Sequence, residues 1–365
     1  MRAAFTERSQ WIQIALVGLV GVIGAVFFAG RLLSDFDWNP TTTVKFGQDA
    51  PEQVEYARDL LGEVVVADDA GHDGKFFFSQ AMDPFYFHPE AHAVHLDRPS
   101  YRAQRMLYPT LAGLGGLLGP SATVWGLLVV NVIGLGVGTL ITARLAVAMG
   151  LTPWLGLAFT LNPGLIAALY IDGADIVAVA GLVAAVLFAV HNRPAATAVA
   201  LSLSCLSRET MILAVIGLIL YWYKERSRVP AVLFAPFIAV ATWWAYVHVR
   251  LGEGLGQDTQ AIGLPLQGFI EAAQRWLSTP GSLPDALIGV VLLFASITIA
   301  VRAIRRPSAL GLSVAGFAVL ALILSEPVWA RYFDSARALA PVLTAYVLLI
   351  PIEQRTDSNR VPVDA

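Results

Sequence analysis

Residues 11–30 read WIQIALVGLVGVIGAVFFAG, a run of 20 residues without a charge. A helix needs about 20 apolar residues to cross the hydrocarbon core of a bilayer, so the run predicts a membrane-spanning helix. Arg2 and Arg8 precede it and also fit the basic start of a cleaved signal peptide. The run is longer than the apolar part of a typical signal and further apolar runs follow, so we interpret it as a retained anchor.

The composition of the whole chain supports this interpretation. Of 365 residues, 56% are hydrophobic and only 14% are charged, whereas a soluble domain carries about 25% charged residues. We therefore expect an all-α, polytopic membrane protein. A net charge of −3 without a basic tract argues against a nucleic-acid partner. The single cysteine, Cys205, excludes a disulfide framework and is expected to be a small buried hydrophobe.

Ten apolar segments are interpreted as transmembrane helices. They are 11–30, 121–146, 151–170, 174–190, 195–206, 209–222, 229–250, 284–301, 308–325 and 337–352. Short basic connections tend to stay in the cytoplasm, and basic residues cluster at the N-terminus and at 191–193, 224–228 and 302–306. This pattern predicts a multi-pass protein of the plasma membrane with both termini in the cytoplasm.

The same pattern predicts one polytopic domain over 1–352 and a disordered cytoplasmic tail over 353–365. Region 31–105 becomes a long extracytoplasmic loop between the first two spans. Segment 106–119 is apolar, but it is short and rich in glycine, and counting it as a span would move the later basic loops outside. We therefore expect 106–119 to be an interfacial helix.

Region 31–105 concentrates ionisable residues, with 13 of the 27 acids and four of the six histidines. A connection of this length is much longer than two neighbouring spans require, so we expect it to be folded or functional. Residues 51–61, PEQVEYARDLL, predict a short amphipathic helix that begins at Pro51.

Asp73 is the strongest candidate for a catalytic residue in this region. Gly71 and Gly74 bracket it and give the backbone freedom to present the carboxylate. The aromatic run Phe76–Phe78 follows, and we expect it to rest on the membrane interface with Asp73 at the membrane surface. Most acids in such a loop only solvate it. The alternative catalytic carboxylates are Asp68 and Asp69, and Lys75 is a candidate for substrate binding.

His88, His92 and His95 raise the question of a metal site, with Glu90 or Asp97 as a further ligand. No second ligand cluster accompanies them, so we predict surface histidines and no metal or other cofactor. A requirement for a divalent cation is left open.

Other charged residues flank the predicted spans on the same outer side. Arg102 and Arg105 lie before the interfacial segment, where they either meet lipid head groups or clamp a phosphate through their forked guanidinium groups. The short spans 195–206 and 209–222 are expected to form a close pair that meets at Arg208 and Glu209. The remaining candidates for substrate binding are Asp172, Arg331 and Arg337. Together they predict an outward-facing cavity with acids and phosphate-binding arginines.

At these residues the chain resembles the GT-C glycosyltransferases, and within them the second mannosyltransferase of glycosylphosphatidylinositol-anchor synthesis and its bacterial relatives. HDGKFFFSQA at 72–81 resembles the family stretch W-D-x-x-x-[FY]-x-x-x-A, with His72 in place of Trp. Asn162-Pro163 and Tyr170-Ile171-Asp172 resemble its N-P and Y-x-E motifs, and Leu206-Ser207-Arg208 its L-x-R turn.

The resemblance implies a membrane enzyme that moves a sugar from a polyprenyl-phosphate donor to a lipid, glycan or protein acceptor. It assigns Asp73 as the general base and Arg102, Arg105 and Arg208 as ligands of the donor phosphate. The main alternative is a multispan transporter or lipid flippase, for which mid-span charges and internal symmetry are expected. Neither feature is evident in the sequence.

Overall fold

Helices account for almost all of the regular structure in residues 2–252 and 262–358, which are the residues that the computed structural model describes. The helices are α1 (Arg2–Ser34), α2 (Thr41–Val44), α3 (Pro51–Leu61), α4 (Gly74–Met82), α5 (Pro89–His92), α6 (Pro99–Arg102), α7 (Leu107–Gly113), α8 (Pro120–Ala148), α9 (Leu157–Thr160), α10 (Pro163–Tyr170), α11 (Asp175–Val190), α12 (Pro194–Ser207), α13 (Ile212–Arg226), α14 (Ala235–Leu251), α15 (Gln267–Ser278), α16 (Leu283–Arg305), α17 (Ala309–Ile323), α18 (Glu326–Ala330), α19 (Tyr332–Ala338) and α20 (Ala340–Ser358).

Four helices of the described chain are long and apolar enough to cross a membrane: Ser9–Ser34, Pro120–Ala148, Ala231–Leu251 and Leu283–Arg305. A fifth span results if α19 and the part of α20 up to Pro351, which meet at 66°, are counted together. Shorter apolar helices fill the space between them. The expected helical, membrane-type architecture is therefore present, while the count of ten spans stays a prediction.

Segment 151–170 is not the single helix that its hydropathy suggested. It divides into a 3₁₀ turn at Pro153–Gly156 and the short helices α9 and α10. Pro163 has no N–H to continue a helix, and the Asn162 side chain accepts a hydrogen bond from Gly164 N at 2.9 Å, which caps α10 instead. Asn162 also donates to Ala340 O at 2.9 Å, so the break joins α10 to the start of α20.

Segments 195–206 and 209–222 are the helices α12 and α13, joined by a 3₁₀ turn over Glu209–Met211. The expectation that they form a close pair is wrong, because α12 packs mainly on α11 and α14, and α13 packs mainly on α17. Cys205 is buried on α12, as expected. At 14 and 15 residues these helices are roughly 21–23 Å long, which is less than the ~30 Å hydrocarbon thickness.

Region 31–105 is a folded unit and not an extended loop. It contains α2 to α6 and a two-stranded parallel sheet, β1 (Phe46–Gly47) and β2 (Val66–Ala67). The helix predicted over 51–61 is confirmed as α3. The expectation that Phe76–Phe78 rests on the membrane interface is wrong, because these rings are at most 5% exposed. Phe77 and Phe78 pack with Tyr56 and Tyr108 in a core beneath α4, where burial of aromatic area stabilises the unit.

Segment 106–119 forms α7 and a 3₁₀ turn over Leu114–Leu118. One side packs against α4 and α8, with Tyr108 and Ala112 buried. The side chains of Leu117 and Leu118 are exposed. A segment that is buried on one side and exposed on the other fits the expected interfacial helix. Its place relative to a membrane stays a prediction.

The packing of α10 on α19 yields a stability prediction, because it also seats Arg337. A Cβ added at Gly164 would lie 2.0 Å from the Ala336 carbonyl oxygen, so Gly164→Ala forces two backbones apart. We expect the free energy of unfolding to fall by about 1–3 kcal/mol, measured by thermal or denaturant unfolding in detergent.

Gly30→Ala is the matched control, since its added Cβ would only touch Trp38 at 3.9 Å inside α1. Alanine favours the helix there by up to ~1 kcal/mol relative to glycine, so the control should unfold no more easily than the wild type. Equal stability of the two variants would show that α10 and α19 do not approach this closely.

Candidate functional site

A cavity of about 580 Å³ opens where α4, α6, α18 and α19 meet the junction of α12 and α13. Its lining combines charged and polar side chains with apolar ones. Its lining residues are Asp73, Arg98, Tyr101, Arg102, Gln104, Arg105, Arg208, Glu209, Thr210, Trp244, Ile262, Leu320, Leu324, Pro327, Val328, Arg331, Asp334, Arg337 and Ala338.

Asp73 reaches this cavity because of the backbone on either side of it. Gly71 has φ +70°, which places it in the left-handed region where a side chain is strained. Gly74 approaches Val44 O and Ile171 O so closely that a Cβ would lie 2.6 and 2.7 Å from them. Gly71 thus permits the left-handed backbone, and Gly74 permits the close approach of other backbone atoms. Asp73 stands directly before α4, where the helix dipole favours an anion.

Three guanidinium groups surround the carboxylate of Asp73. Arg102 Nη1 lies 2.8 Å from Oδ1, and Arg337 Nη2 lies 2.9 Å from Oδ2. Arg105 Nη1 lies 3.5 Å from Oδ2. The arginines come from sequence positions 29, 32 and 264 residues away, so the contact exists only in the folded chain.

Each of these arginines also binds an acid of its own. Arg102 forms a two-pronged pair with Asp97, at 2.8 and 3.0 Å. Arg105 forms a similar pair with Glu209, at 3.0 and 2.9 Å.

Arg337 and Arg208 share a third supporting acid. Arg337 Nε donates to Asp175 Oδ2 at 3.0 Å, and Arg208 Nη1 contacts the other oxygen of Asp175. Most of the negative charge that compensates the buried guanidinium groups therefore comes from Asp97, Glu209 and Asp175.

Aromatic rings hold the arginines on their other faces. The guanidinium carbon of Arg102 lies 4.0 Å from the centre of the Phe76 ring. Those of Arg98, Arg102 and Arg105 lie 4.9, 5.5 and 5.3 Å from the centre of the Tyr101 ring. A cation over the face of a ring is attracted to it, so the rings keep like charges in place at short range.

The surroundings of Asp73 control its ionisation. Burial alone would raise its pKa, but Arg337, Arg105 and Arg102 together hold the pKa of the carboxyl well below its usual range. Burial lowers the pKa of the neighbouring His72 imidazole, which favours its neutral form. Asp73 is therefore ionised at neutral pH, and with its arginines in place it is a weak proton acceptor.

Apolar side chains also line the cavity. They are Trp244 of α14, Leu320 of α17, Leu324, Pro327 and Val328. A ligand that fits both kinds of lining has an anionic part and a hydrocarbon part.

The structure brings seven of the predicted residues to this cavity: Asp73, Arg102, Arg105, Arg208, Glu209, Arg331 and Arg337. Arg331 is more exposed than the others, and it pairs with Asp334 at 2.9 Å. Helix α6 ends at Arg102, so Arg105 lies beyond it and the arginines converge through tertiary packing.

The other predicted residues lie elsewhere. Asp68 and Asp69 are exposed on the turn before Gly71, and Asp69 Oδ1 accepts from Gly71 N at 2.8 Å. Lys75 is buried and its Nζ donates to the Ala70 carbonyl oxygen. Asp172 is fully buried and accepts from Thr43 at 2.6 Å. Their roles in catalysis or substrate binding stay predictions.

The sequence reasoning missed one residue that lines the cavity, Tyr101, and one that supports it from outside, Asp97. Tyr101 stands between the arginines of R-x-x-Y-R-x-x-R at 98–105, and that interleaving was a usable signal. Asp97 was considered only as a loop acid and as a further ligand for a metal beside the histidines. Its position five residues before Arg102 gave no reason to expect a two-pronged pair.

The histidines have other neighbours. His92 Nδ1 lies 2.6 Å from the Tyr56 hydroxyl, and the His95 ring stacks on Tyr56 with ring centres 4.0 Å apart. His88 is exposed beside Glu90. Among the residues described, no group of three or more His, Cys, Asp and Glu side chains is arranged to hold a metal ion.

Comparison with known proteins gives no matching family model, no matching curated protein and no matching solved structure.

The buried Asp172 gives a prediction about pH. It lies in the turn between α10 and α11, where burial raises its pKa to about 7 even though the hydrogen bond from Thr43 lowers it. An acid whose pKa is raised on folding binds more protons in the native state, so its contribution to stability is present below about pH 4 and is lost as the pH rises to about 7. Asp172→Asn has no carboxyl group to ionise, so it does not lose this stability as the pH rises.

We therefore expect the unfolding temperature of Asp172→Asn, relative to wild type, to increase between pH 4.5 and pH 8 when both are measured in the same detergent. Asp49→Asn is the control, because Asp49 is exposed on the surface of the same folded unit. Parallel pH profiles for Asp172→Asn and wild type would contradict the assignment.

Proposed function

We propose that this protein is a membrane glycosyltransferase of the GT-C type, which moves a sugar from a polyprenyl-phosphate donor to a lipid, glycan or protein acceptor. The single observation that carries the proposal is a cavity in which a carboxylate, Asp73, contacts three arginines and whose lining also includes apolar side chains. Transfer from such a donor needs these groups together: cations for the phosphate, an apolar surface for the lipid and a base for the acceptor.

The donor would lie with its phosphate among Arg102, Arg105 and Arg337. Guanidinium groups suit phosphate because their N–H groups bind two oxygens at once. The hydrocarbon chain would lie along Leu320, Leu324 and Val328. As the bond between the anomeric carbon and the phosphate oxygen breaks, the charge that develops on that oxygen would be stabilised by the same arginines.

The proposed arrangement in the membrane has ten spans, with the cavity on the extracytoplasmic side and both termini in the cytoplasm. The lengths of the helices support a cavity close to the lipid. The 16 residues of α11 reach roughly 24 Å, so its end at Asp175 would fall below the surface of a ~30 Å hydrocarbon layer. A lipid phosphate could then reach the cavity from the side.

Replacing the proposed base provides the test of catalysis. Asp73→Asn preserves the shape of the side chain and removes proton acceptance, so turnover should fall by ~10²-fold or more without loss of donor binding. Arg102→Ala should instead weaken donor binding by about 1.5–3 kcal/mol, the contribution of a hydrogen bond between charged groups. The assay is sugar transfer from a polyprenyl-phosphate sugar by purified protein in nanodiscs.

Three variants serve as controls. Asp68→Asn and Asp69→Asn change carboxylates that lie outside the cavity and should keep most of the transfer activity. Arg58→Ala removes an exposed arginine of α3 and should leave donor binding unchanged. Full transfer by Asp73→Asn would reject it as the base. Donor binding and movement across the bilayer without any transfer would favour the flippase instead.

Orientation in the membrane can be tested by cysteine labelling. Cysteine introduced at the exposed Glu63 should react with an impermeant maleimide in intact cells, whereas cysteine at the exposed Ser227 should react only after permeabilisation. The reason is that basic connections such as 224–228 stay in the cytoplasm. Wild type provides the background, since Cys205 is buried. Labelling of Ser227→Cys in intact cells would reverse the proposed orientation.

A further inference from the structure

Three arginines of the cavity already have an anionic partner within the chain, the carboxylate of Asp73. Its two oxygens meet Arg102, Arg337 and Arg105 at 2.8, 2.9 and 3.5 Å. Several guanidinium groups around one small anion are also what holds a bound phosphate. The proposed base therefore stands in the place that the proposed mechanism needs for the donor.

A carboxylate held in this way is a poor base, because its lone pairs are engaged and its negative charge is stabilised. The supporting acids make separate contacts with these arginines. Asp97 and Asp175 do not line the cavity, and Glu209, which does, binds Arg105. These pairs do not involve Asp73, so we expect them to keep the guanidinium groups in place when its carboxylate moves.

In the described part of the chain, the carboxylate of Asp73 accepts hydrogen bonds from Arg102 and Arg337. Within the described residues, its side chain makes no capping hydrogen bond to the amide groups of α4. The backbone beside it is held by Gly71 and Gly74, so rotation of the side chain is the movement that remains. The side chain already lines the cavity, and a rotation keeps it there.

We propose that the Asp73 carboxylate occupies the donor-phosphate site in the donor-free protein, and that the incoming phosphate displaces it and thereby frees it to act as the base. This proposal rests on the proposed function. It adds a mechanism by which donor binding controls the activity of the catalytic base. An enzyme built in this way activates its base only when donor is bound.

The chemical step then balances. The acceptor hydroxyl oxygen forms the new bond to the anomeric carbon and gives its proton to Asp73. The bond from the anomeric carbon to the phosphate oxygen breaks, and its electron pair stays with the polyprenyl phosphate, which Arg102, Arg105 and Arg337 hold. The protonated Asp73 loses its proton to water when the phosphate leaves and the carboxylate returns to the arginines.

Competition for one site predicts that removing the carboxylate improves phosphate binding. We expect Asp73→Asn to bind farnesyl phosphate at least ~10-fold more tightly than wild type, measured by isothermal titration calorimetry on purified protein in nanodiscs without acceptor. Glu63→Gln makes the same change in charge at an exposed position of the same folded unit and should change the dissociation constant by less than about 2-fold.

Asp97→Asn provides a second comparison. It removes a carboxylate near the cluster but leaves Asp73 in place and takes away the main support of Arg102. It should weaken farnesyl phosphate binding or leave it unchanged. If Asp73→Asn binds no more tightly than Glu63→Gln, or if Asp97→Asn binds as tightly as Asp73→Asn, the displacement is rejected.

A measurement on the wild type keeps the proposal testable if Asp73→Asn does not fold. In infrared difference spectra of protein with ¹³C-labelled aspartate carboxyl groups, farnesyl phosphate should shift a carboxylate band as an aspartate leaves its arginines. No band change at saturating ligand would reject the displacement.

These results are separable from the outcome for the proposed function. Tighter binding by Asp73→Asn without sugar transfer by wild type would keep the displaced carboxylate and reject the glycosyltransferase. Sugar transfer by wild type without tighter binding by Asp73→Asn would keep the glycosyltransferase and reject the displaced carboxylate.

Discussion

The structure depends on the neutralisation of four arginines in a setting of apolar helices. Arg102, Arg105, Arg208 and Arg337 are mostly buried, and an uncompensated buried charge costs several kcal/mol. The four acids that compensate them come from three parts of the chain: Asp73 and Asp97 from region 31–105, Asp175 from the start of α11, and Glu209 from the junction of α12 and α13. Charge pairing therefore joins these three parts to the end of α19, where Arg337 lies.

Apolar packing brings these parts within reach of one another. The helices α8, α11 and α12 are in extensive contact, and Gly164 allows α10 to lie directly against α19. The aromatic core beneath α4 fixes the position of that helix, and Asp73 lies directly before it. A polar cluster of this kind depends on the packing of the helices. The free energy gained by an ion pair is small compared with the conformational entropy lost when distant parts of the chain are brought together.

The surroundings of the cluster bear on its chemical character. Several helices around it are shorter than a bilayer is thick, and apolar side chains share the lining of its cavity. In the arrangement that we propose the cluster lies near the lipid, where charged groups are costly and are generally retained for a function. In this cavity the cost is offset by pairing, and the pairing leaves one carboxylate in contact with three cations. A phosphate could take its place.

Local patterns in the sequence determined the helical, membrane-type architecture, helix α3, the turn that joins α12 to α13, and the choice of Asp73 and the flanking arginines as candidates. Hydropathy, proline positions and glycine positions act within a few residues, so they can be interpreted without a structure. Tertiary structure alone decided that Arg337 meets Asp73 across 264 residues, that the buried Phe76 ring lies against Arg102, and that Asp172 lies in a separate buried site. Those outcomes depend on which helices pack together, because the free energy of a buried charge is set by neighbours that are distant in the chain.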